Sequence, residues 1–414
     1  MEGIRYPHLP AEGTARAIMK VAVVAEFYPR RGDPVLGVWA HRQALAARAA
    51  GAEVRVVVLH RLVPPRASLS GGPGAPTRAL LDLAGEPRKQ THDGLDVTYV
   101  RYVSPPRSRS YHRWGAWASP ALALALRHLR RSFEFDLIHA HNAVPPGDAS
   151  RRSRLGVPLV VSVHGGDVLY TAPRTQGGRV AVERNLTAAT TVLANSHGIA
   201  ELARHYGARD TRVVHLGADL PEPRGAPGRR DPRAPSLVTV GHLVARKRHA
   251  DVLRALAVLA KRHPTLRYVI IGDGPERIAL EGLAARLEVS DRVDFLGQLP
   301  PDEAIERARG CTLFAMPSTE EAFGVAYIEA MAGGIPAIGC RGEPGPEEIA
   351  AAGDGFVLVP PGDIERLTQR IDELLSDSQR LREASFRARE TVAANFTWEG
   401  CGERTLAAYE HALR

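Results

Sequence analysis

The stretch from Thr312 to Glu348, TLFAMPSTEEAFGVAYIEAMAGGIPAIGCRGEPGPEE, constrains this chain more than any other part of it. Its apolar opening, Thr312 to Met316, suits a buried parallel strand, and Pro317, Ser318 and Thr319 break that strand. Two carboxylates follow in the loop, Glu320 and Glu321. Gly324 precedes a helix-like run, Val325 to Met331, that holds a third carboxylate, Glu329. Gly333 and Gly334 close the helix, Pro336 follows, and Ala337 to Cys340 reads as another buried strand. The unit is strand, loop, helix, strand, with acidic groups and a glycine crowded around the helix entrance.

That layout has a chemical logic. A helix start presents unpaired N–H groups and a partial positive charge, which suits a phosphate or diphosphate. Gly324, lacking a β-carbon, lets the backbone approach the anion closely. Carboxylates do not bind phosphate, so Glu321 and Glu329 serve something beside it, and sugar hydroxyls are the candidates. On spacing alone a second reading stands next to this nucleotide-sugar pocket: Glu329 as an ordinary solvated helix residue and Glu321 as a loop charge.

Glu321-Ala-Phe-Gly-Val-Ala-Tyr-Ile-Glu329, with Phe-Gly after the first glutamate, resembles the donor-site motif of the family 4 retaining glycosyltransferases. These are nucleotide-sugar enzymes of the GT-B fold. The run from Glu329 to Gly339 matches as well. The resemblance covers nearly all of residues 20–414 and is strongest from 237 to 363. It implies an α/β protein with two Rossmann-like domains facing each other across a cleft. The expected divisions are an N-terminal extension (1–19), an acceptor domain (20–220), a linker (221–236), a donor domain (237–395), and a terminal helix (396–414) returning to the first domain.

Bulk properties agree with a soluble globular protein. Hydrophobic residues make up 44% of the 414 and charged residues 24%, and no apolar run approaches the ~20 residues needed to span a bilayer. The first nineteen residues have no apolar core of signal-peptide length and read as an untargeted extension. Cys311, Cys340 and Cys401 form no close pair, which argues for a reducing cytoplasm and against a disulfide framework or thiolate metal site. The net charge of +8 fits phosphorylated donors or an anionic membrane surface. No zinc-finger spacing or aromatic RNA-binding motif appears, so nucleic acid is not expected as a partner.

In the first half, Val21 to Phe27 reads as a buried strand, Gly37 opens a helix to about Ala50, and Glu53 to Leu59 is the next strand. The loop before Gly37 lacks G-x-G-x-x-G, which excludes a dinucleotide dehydrogenase fingerprint. By resemblance Gly37 lies against the donor diphosphate; the plainer reading is a helix-start glycine. Residues 62–95, rich in Pro, Gly and Arg, read as a long mobile loop. From Val97 to Phe133 there is no acidic residue, and Arg107, Arg109, Arg113, Arg127, Arg130 and Arg131 surround Trp114 and Trp117. Ser119 and Pro120 suit the cap and first turn of a helix, Ala121 to Arg131. A basic segment with interfacial tryptophans fits peripheral contact with anionic lipid headgroups; a core helix with a solvated end is the alternative. Asp136 to His141 is a strand ending in two histidines, read as structural, with no metal assigned. Val157 to His164 is another strand, which puts His164 at its carboxyl end, where open parallel sheets bind ligands. The resemblance implies that His164 contacts the donor sugar near the reacting centre.

Pro221 to Ser236 is rich in proline, glycine and charge and reads as the interdomain linker. Leu237 to Val240 starts the second domain, followed by Gly241-His-Leu-Val-Ala-Arg-Lys-Arg248. A basic cluster here suits a leaving diphosphate; a solvated charge run is the alternative. In the resembled family this loop carries arginine after the glycine and lysine five residues later, then glycine. Lys247 fits, whereas His242 stands in the arginine position and Arg248 in the glycine position, and Arg246 is expected to supply the missing charge. The resemblance also sets the nucleobase against Leu299. The expected site is therefore His164, Glu321 and Lys247 for catalysis, with Gly37, His242, Arg246, Leu299, Phe323, Gly324, Val325 and Glu329 around the donor. No metal and no cofactor are expected, since these cations serve the diphosphate and no Asp-x-Asp motif occurs. The acceptor is expected to be a glycan or lipid-linked hydroxyl, because residues 337–343 resemble transferases of exopolysaccharide and teichuronic acid assembly. Two rivals are a sugar-nucleotide epimerase and a non-catalytic nucleotide-sugar binding protein.

Overall fold

The computed structural model describes residues 18–64, 72, 74–221 and 234–414. The first lobe holds an eight-stranded sheet of β1 (Lys20–Ala25), β2 (Glu53–Arg61), β3 (Lys89–His92), β4 (Leu95–Tyr102), β5 (Leu137–His141), β6 (Leu159–Val163), β7 (Thr191–Ala194) and β8 (Thr211–Val213). Its order is β3-β4-β2-β1-β5-β6-β7-β8, parallel except for the β3–β4 hairpin. The second lobe holds six parallel strands: β9 (Ser236–Val240), β10 (Arg267–Ile271), β11 (Val293–Gly297), β12 (Leu313–Ala315), β13 (Ala337–Cys340) and β14 (Phe356–Val359). Their order is β11-β10-β9-β12-β13-β14.

The central strands are Val-, Ile- and Leu-rich runs with no polar alternation, because helices cover both faces of each parallel sheet, whereas the edge pair is polar (β3, KQTH) or alternating (β4, LDVTYVRY). Burial follows: Val21 to Ala25, Leu159 to Val163 and Ala337 to Cys340 are all buried. In both sheets the strand order reverses beside the first strand, between β1 and β5 and between β9 and β12. Loops at such reversals leave a crevice beyond the carboxyl ends of the strands. The chain is thus bound to carry its chemistry in the loops after β1, β5, β6, β9 and β12.

The last helix, Trp398–Ala412, leaves the second lobe and packs on the first-lobe helix Val38–Ala49. Thr397 caps its start by accepting the Gly400 N–H at 3.1 Å. Gln43 donates to Thr405 Oγ1 at 3.1 Å, and Tyr409 Oη lies 2.7 Å from His139 Nδ1.

Three sequence expectations change. Most of the 62–95 segment that falls in the described residues is ordered: a helix, Ala75–Gly85, and the β3–β4 hairpin. Arg101 on β4 and His60 on β2 hold the helix end, Arg101 donating to Ala84 O at 2.7 Å and His60 Nε2 meeting Leu83 O at 2.9 Å. The helix expected from Ala121 starts earlier, at Trp114, and runs to Ser132 with Pro120 inside it. Pro120 has no N–H for the Ala116 carbonyl, and Ser119 Oγ donates to that carbonyl instead at 3.0 Å, so the helix passes through. Trp114 is 3% exposed and belongs to the first-lobe core, so it is not an interfacial residue, whereas Trp117 is 54% exposed. Residues 1–17 of the expected 1–19 extension, most of the 221–236 linker (222–233) and the Arg109 side chain lie outside the described residues.

Candidate active site

A polar cluster of the second lobe sits where the loops after β9 and β12 meet. Lys247, in a short turn Ala245–Lys247, donates from Nζ to Glu321 Oε2 at 2.5 Å. Ser318 Oγ donates to the same oxygen at 3.0 Å and lies 2.9 Å from Tyr327 Oη. The two loops are also tied through their backbones, Thr319 N–H donating to Arg246 O at 2.8 Å. Glu343 fixes the loop from below, accepting the Glu321 N–H at 2.8 Å. Burial pushes the Glu321 carboxyl up, but the Lys247 ammonium, its hydrogen bond, Arg246 and Ser318 together hold it below the usual carboxylate range. The pair is therefore charged on both sides and largely shielded from water.

Immediately after it, Gly324 opens the helix Val325–Ala332 in the left-handed region, with φ 89° and ψ 63°. A β-carbon there would collide with the Tyr327 ring. Only glycine combines this backbone with that close approach. The free N–H groups of the first helical turn follow directly on the Lys247–Glu321 pair.

Beside this cluster lies a cavity of about 340 Å³ walled by both lobes. Trp39 and Val38 of the first lobe face Gly241, His242, Leu299, Val325 and Glu329 of the second, with Trp398 of the crossover helix closing one side. A β-carbon at Gly241 would stand 3.8 Å from Lys247 Cε, so the lysine stem runs along the cavity edge. Glu329 lines the wall; burial, then the like charge of Asp219, raise its carboxyl to about 7. Arg42 and Arg309 oppose that shift from a distance.

The first lobe contributes histidines. His164, just past β6, has Nε2 2.9 Å from His141 Nδ1, and the two rings stack with centroids 5.2 Å apart. His139, two residues earlier on β5, is held between Tyr409 and Ser162 Oγ, each at 2.7 Å. Burial lowers all three, His164 to about 4 and His139 to about 3, so they are neutral at physiological pH. Among the described residues, His164 Nδ1 is buried without a hydrogen-bond partner. Its ring is 6.2 Å from that of Trp39, which links it to the cavity, and the next residue, Gly165, abuts Ala322 of the Glu321 loop.

The sequence-selected residues fall out as follows. Lys247, Glu321, Arg246 and Gly324 come together; Arg246 lies over the Tyr170 ring at 5.7 Å. His242, Leu299, Val325 and Glu329 share the cavity wall. Gly37, with φ 68°, caps the helix Val38–Ala49 because a side chain there would strike the Phe27 backbone. Phe323 stands apart. Its side chain is 1% exposed, stacks on His215 and meets Phe396 edge-on in the core, so only its backbone borders the site. Sequence reasoning assigned no site role to Trp39, Trp398, Ser318, Tyr327 or Glu343; Tyr327 and Glu343 lie within the quoted motifs, but all five gain their roles only from the folded neighbours.

Two facing α/β lobes, a cavity between them and a charged pair at a helix start define the class of two-lobed GT-B glycosyltransferases, and the comparisons agree. The description "Glycosyltransferase Family 4" matches residues 36–222, and "Glycosyl transferases group 1" matches residues 226–391. The chain is 32% identical to D-inositol 3-phosphate glycosyltransferase of Nocardia farcinica over 71% of each protein. In fold it is similar to sucrose-phosphate synthase from Thermosynechococcus elongatus, with TM-score 0.75 and 22% identity over 95% of this chain and 98% of that one. It is also similar to Anabaena HepE in complex with UDP and glucose, with TM-score 0.69 and 21% identity over 95% and 100% of the two chains. The chain belongs to the group 1, family 4 glycosyltransferases, and it is a glycosyltransferase. The epimerase and non-catalytic readings are not favoured.

Proposed function

We propose that the protein transfers a hexose-type sugar from a nucleoside diphosphate to an acceptor hydroxyl with retention of anomeric configuration and without a metal ion. The observation that carries this reading is the Lys247–Glu321 pair at 2.5 Å, set at the Gly324 helix start on the edge of the two-lobed cavity. As the bond to the diphosphate breaks, negative charge grows on the leaving group and positive charge on the sugar ring. Lys247, Arg246 and the helix N–H groups stabilise the former. Glu321, held ionised by Lys247, accepts from the sugar hydroxyls, and Glu329 does the same for the ribose on the cavity wall. His164, neutral and with a partnerless Nδ1, serves as the hydrogen-bonding contact on the sugar's first-lobe side. The nucleobase lies along Leu299. Support for a uridine donor comes from the HepE complex with UDP and glucose.

Acceptors divide into two. A cell-envelope or exopolysaccharide glycan follows from the 337–343 resemblance. A small phosphorylated polyol is favoured by the name of the Nocardia relative. For a lipid-linked acceptor, the exposed Trp117 and Leu124, seven residues apart on one helix, form an apolar edge close in sequence to Arg127 and Arg131. That edge is expected to bind anionic vesicles in low salt and release them as salt rises; absence of binding in low salt removes the membrane contact. The main test is a melting-point screen with UDP- and GDP-sugars, then turnover with glycan and polyol phosphate acceptors in excess EDTA. Retention is read from the product's anomeric proton signal. Loss of turnover in EDTA, or an inverted product, overturns the mechanism.

A further inference from the structure

Behind the Glu321 loop, where the helix His197–His205 of the first lobe meets the helix Pro344–Ala352 of the second, three metal-type ligands converge. His197 Nδ1 and His215 Nε2 both lie 2.6 Å from Glu348 Oε1, and the His197 N–H donates to Glu348 Oε2 at 2.8 Å. One ligand atom from each of the three side chains lies within 4.8 Å of the other two, the one such group among the described residues. The histidines belong to the first lobe and the glutamate to the second. The mechanism uses none of them.

We propose that His197, His215 and Glu348 bind a zinc-class divalent cation that clasps the two lobes together. Two imidazole nitrogens and one carboxylate oxygen are the donor set of borderline ions such as Zn²⁺; Mg²⁺ and Ca²⁺ favour all-oxygen sites. The site is built rather than adventitious. The His215 ring is fixed by stacking on Phe323, with centroids 5.9 Å apart, and by an edge contact with Phe396 at 5.2 Å. Glu348 is only 10% exposed and is oriented by the His197 backbone. His197, 73% exposed, leaves the outer face open to solvent, as a three-ligand site with a water in the fourth position requires.

The consequence follows from position. Residues flanking the site already bridge the lobes: Ser196 Oγ donates to Ala322 O at 3.0 Å, and Phe323 directly precedes Gly324. An ion held by both lobes has full affinity only for the arrangement in which they touch, so binding it favours that arrangement by its differential affinity. Release of a spent nucleotide from a two-lobed cleft needs the lobes to part. The ion therefore acts as an inhibitory clasp, a role that rests on the glycosyltransferase reading, whereas the binding itself does not.

The experiment titrates the chelator-stripped full chain with Zn²⁺ alone by calorimetry, and with Co²⁺ alone by visible absorption. Wild type is expected to take one equivalent and to show the intense ligand-field bands of a four-coordinate cobalt site. His197→Gln and Glu348→Gln, which keep polar side chains at the junction, are expected to fold and to weaken Zn²⁺ at least ~10-fold. Zinc at saturation lowers kcat in wild type and leaves it unchanged in His197→Gln. No saturable Zn²⁺ binding, or equal binding in wild type and both variants, overturns the site. Stoichiometric binding with unchanged kcat keeps the site and removes its regulatory role.

Discussion

The first lobe offers three neutral histidines: His139 and His141, buried on β5, and half-buried His164 just past β6, whose ring stacks on His141. The second lobe offers an ion pair, Lys247–Glu321, at a helix start. Both sheets have the same strand order around their first strands, so topology places both sets at equivalent crevices. Their electrostatics differ. Burial without a counter-ion strips protons from the histidines, whereas burial with a lysine, an arginine and a serine keeps Glu321 ionised. In the proposed mechanism one lobe stabilises developing charge and the other shapes and hydrogen-bonds the sugar ring.

The sharpest break of that contrast is at the ion pair. Lys247→Ala and Glu321→Ala are each expected to lose at least ~100-fold in turnover, the usual cost of one preorganised charge contact. Removing one partner also leaves the other charge shielded and unpaired, so each single variant melts lower than Lys247→Met/Glu321→Gln. Calorimetry and initial rates on the three proteins test both points; near-wild-type activity in either single variant ends the assignment.

Gly324→Ala comes next. Its β-carbon meets the Tyr327 ring at a positive φ, so about 2 kcal/mol of stability is expected to go, with weaker donor binding. A full-strength variant in denaturant titration would show that the helix entrance tolerates a side chain.

On the first-lobe side the expected effects are smaller. His164→Ala should cost about tenfold, equivalent to roughly one neutral hydrogen bond. Because burial lowers His164 to about 4, its charge-free form persists from neutral pH down to that value. The acid limb of kcat/KM assigned to it should therefore fall near pH 4; a limb at the ordinary histidine value of ~6.5 would break the contrast. Glu329 runs the other way, raised to about 7, so its neutral form favours the folded state below the ordinary carboxyl range and that contribution fades as pH climbs through 7. Melting points of Glu329→Gln should lack this slope.

The smallest effect is a gain. Arg248 holds φ 56° and ψ 34° at the start of the helix His249–Leu259, the backbone that glycine adopts freely. Arg248→Gly relieves that strain and forfeits the Arg248–Asp251 bond at 2.6 Å, for a net gain below ~1 kcal/mol. A loss in stability would mean the ion pair outweighs the strain.

Much of the second-lobe site was legible because its parts are neighbours in the chain. Residues 321–329 carry a loop carboxylate, a positive-φ glycine and a helix carboxylate, and local chain geometry alone brings these to one place. The central strands were equally legible, since parallel strands covered on both faces must be continuously apolar, but the polar β3 and alternating β4 at the sheet edge were not. The distant partners were not. Nothing in the sequence near Trp39, Trp398 or Glu343 says that the first two wall a cavity or that the third accepts the Glu321 N–H. Nor does it say that Ser119 rescues Pro120 or that Phe323 turns into the core. Those outcomes depend on which surfaces face each other after two sheets and a crossover helix have packed. The amino-acid order therefore determined the two-sheet plan and the charged entrance of one helix. Only the tertiary structure decided the protonation of the histidines and the pairing of Lys247 with Glu321, because both depend on burial and on distances between residues far apart in the chain.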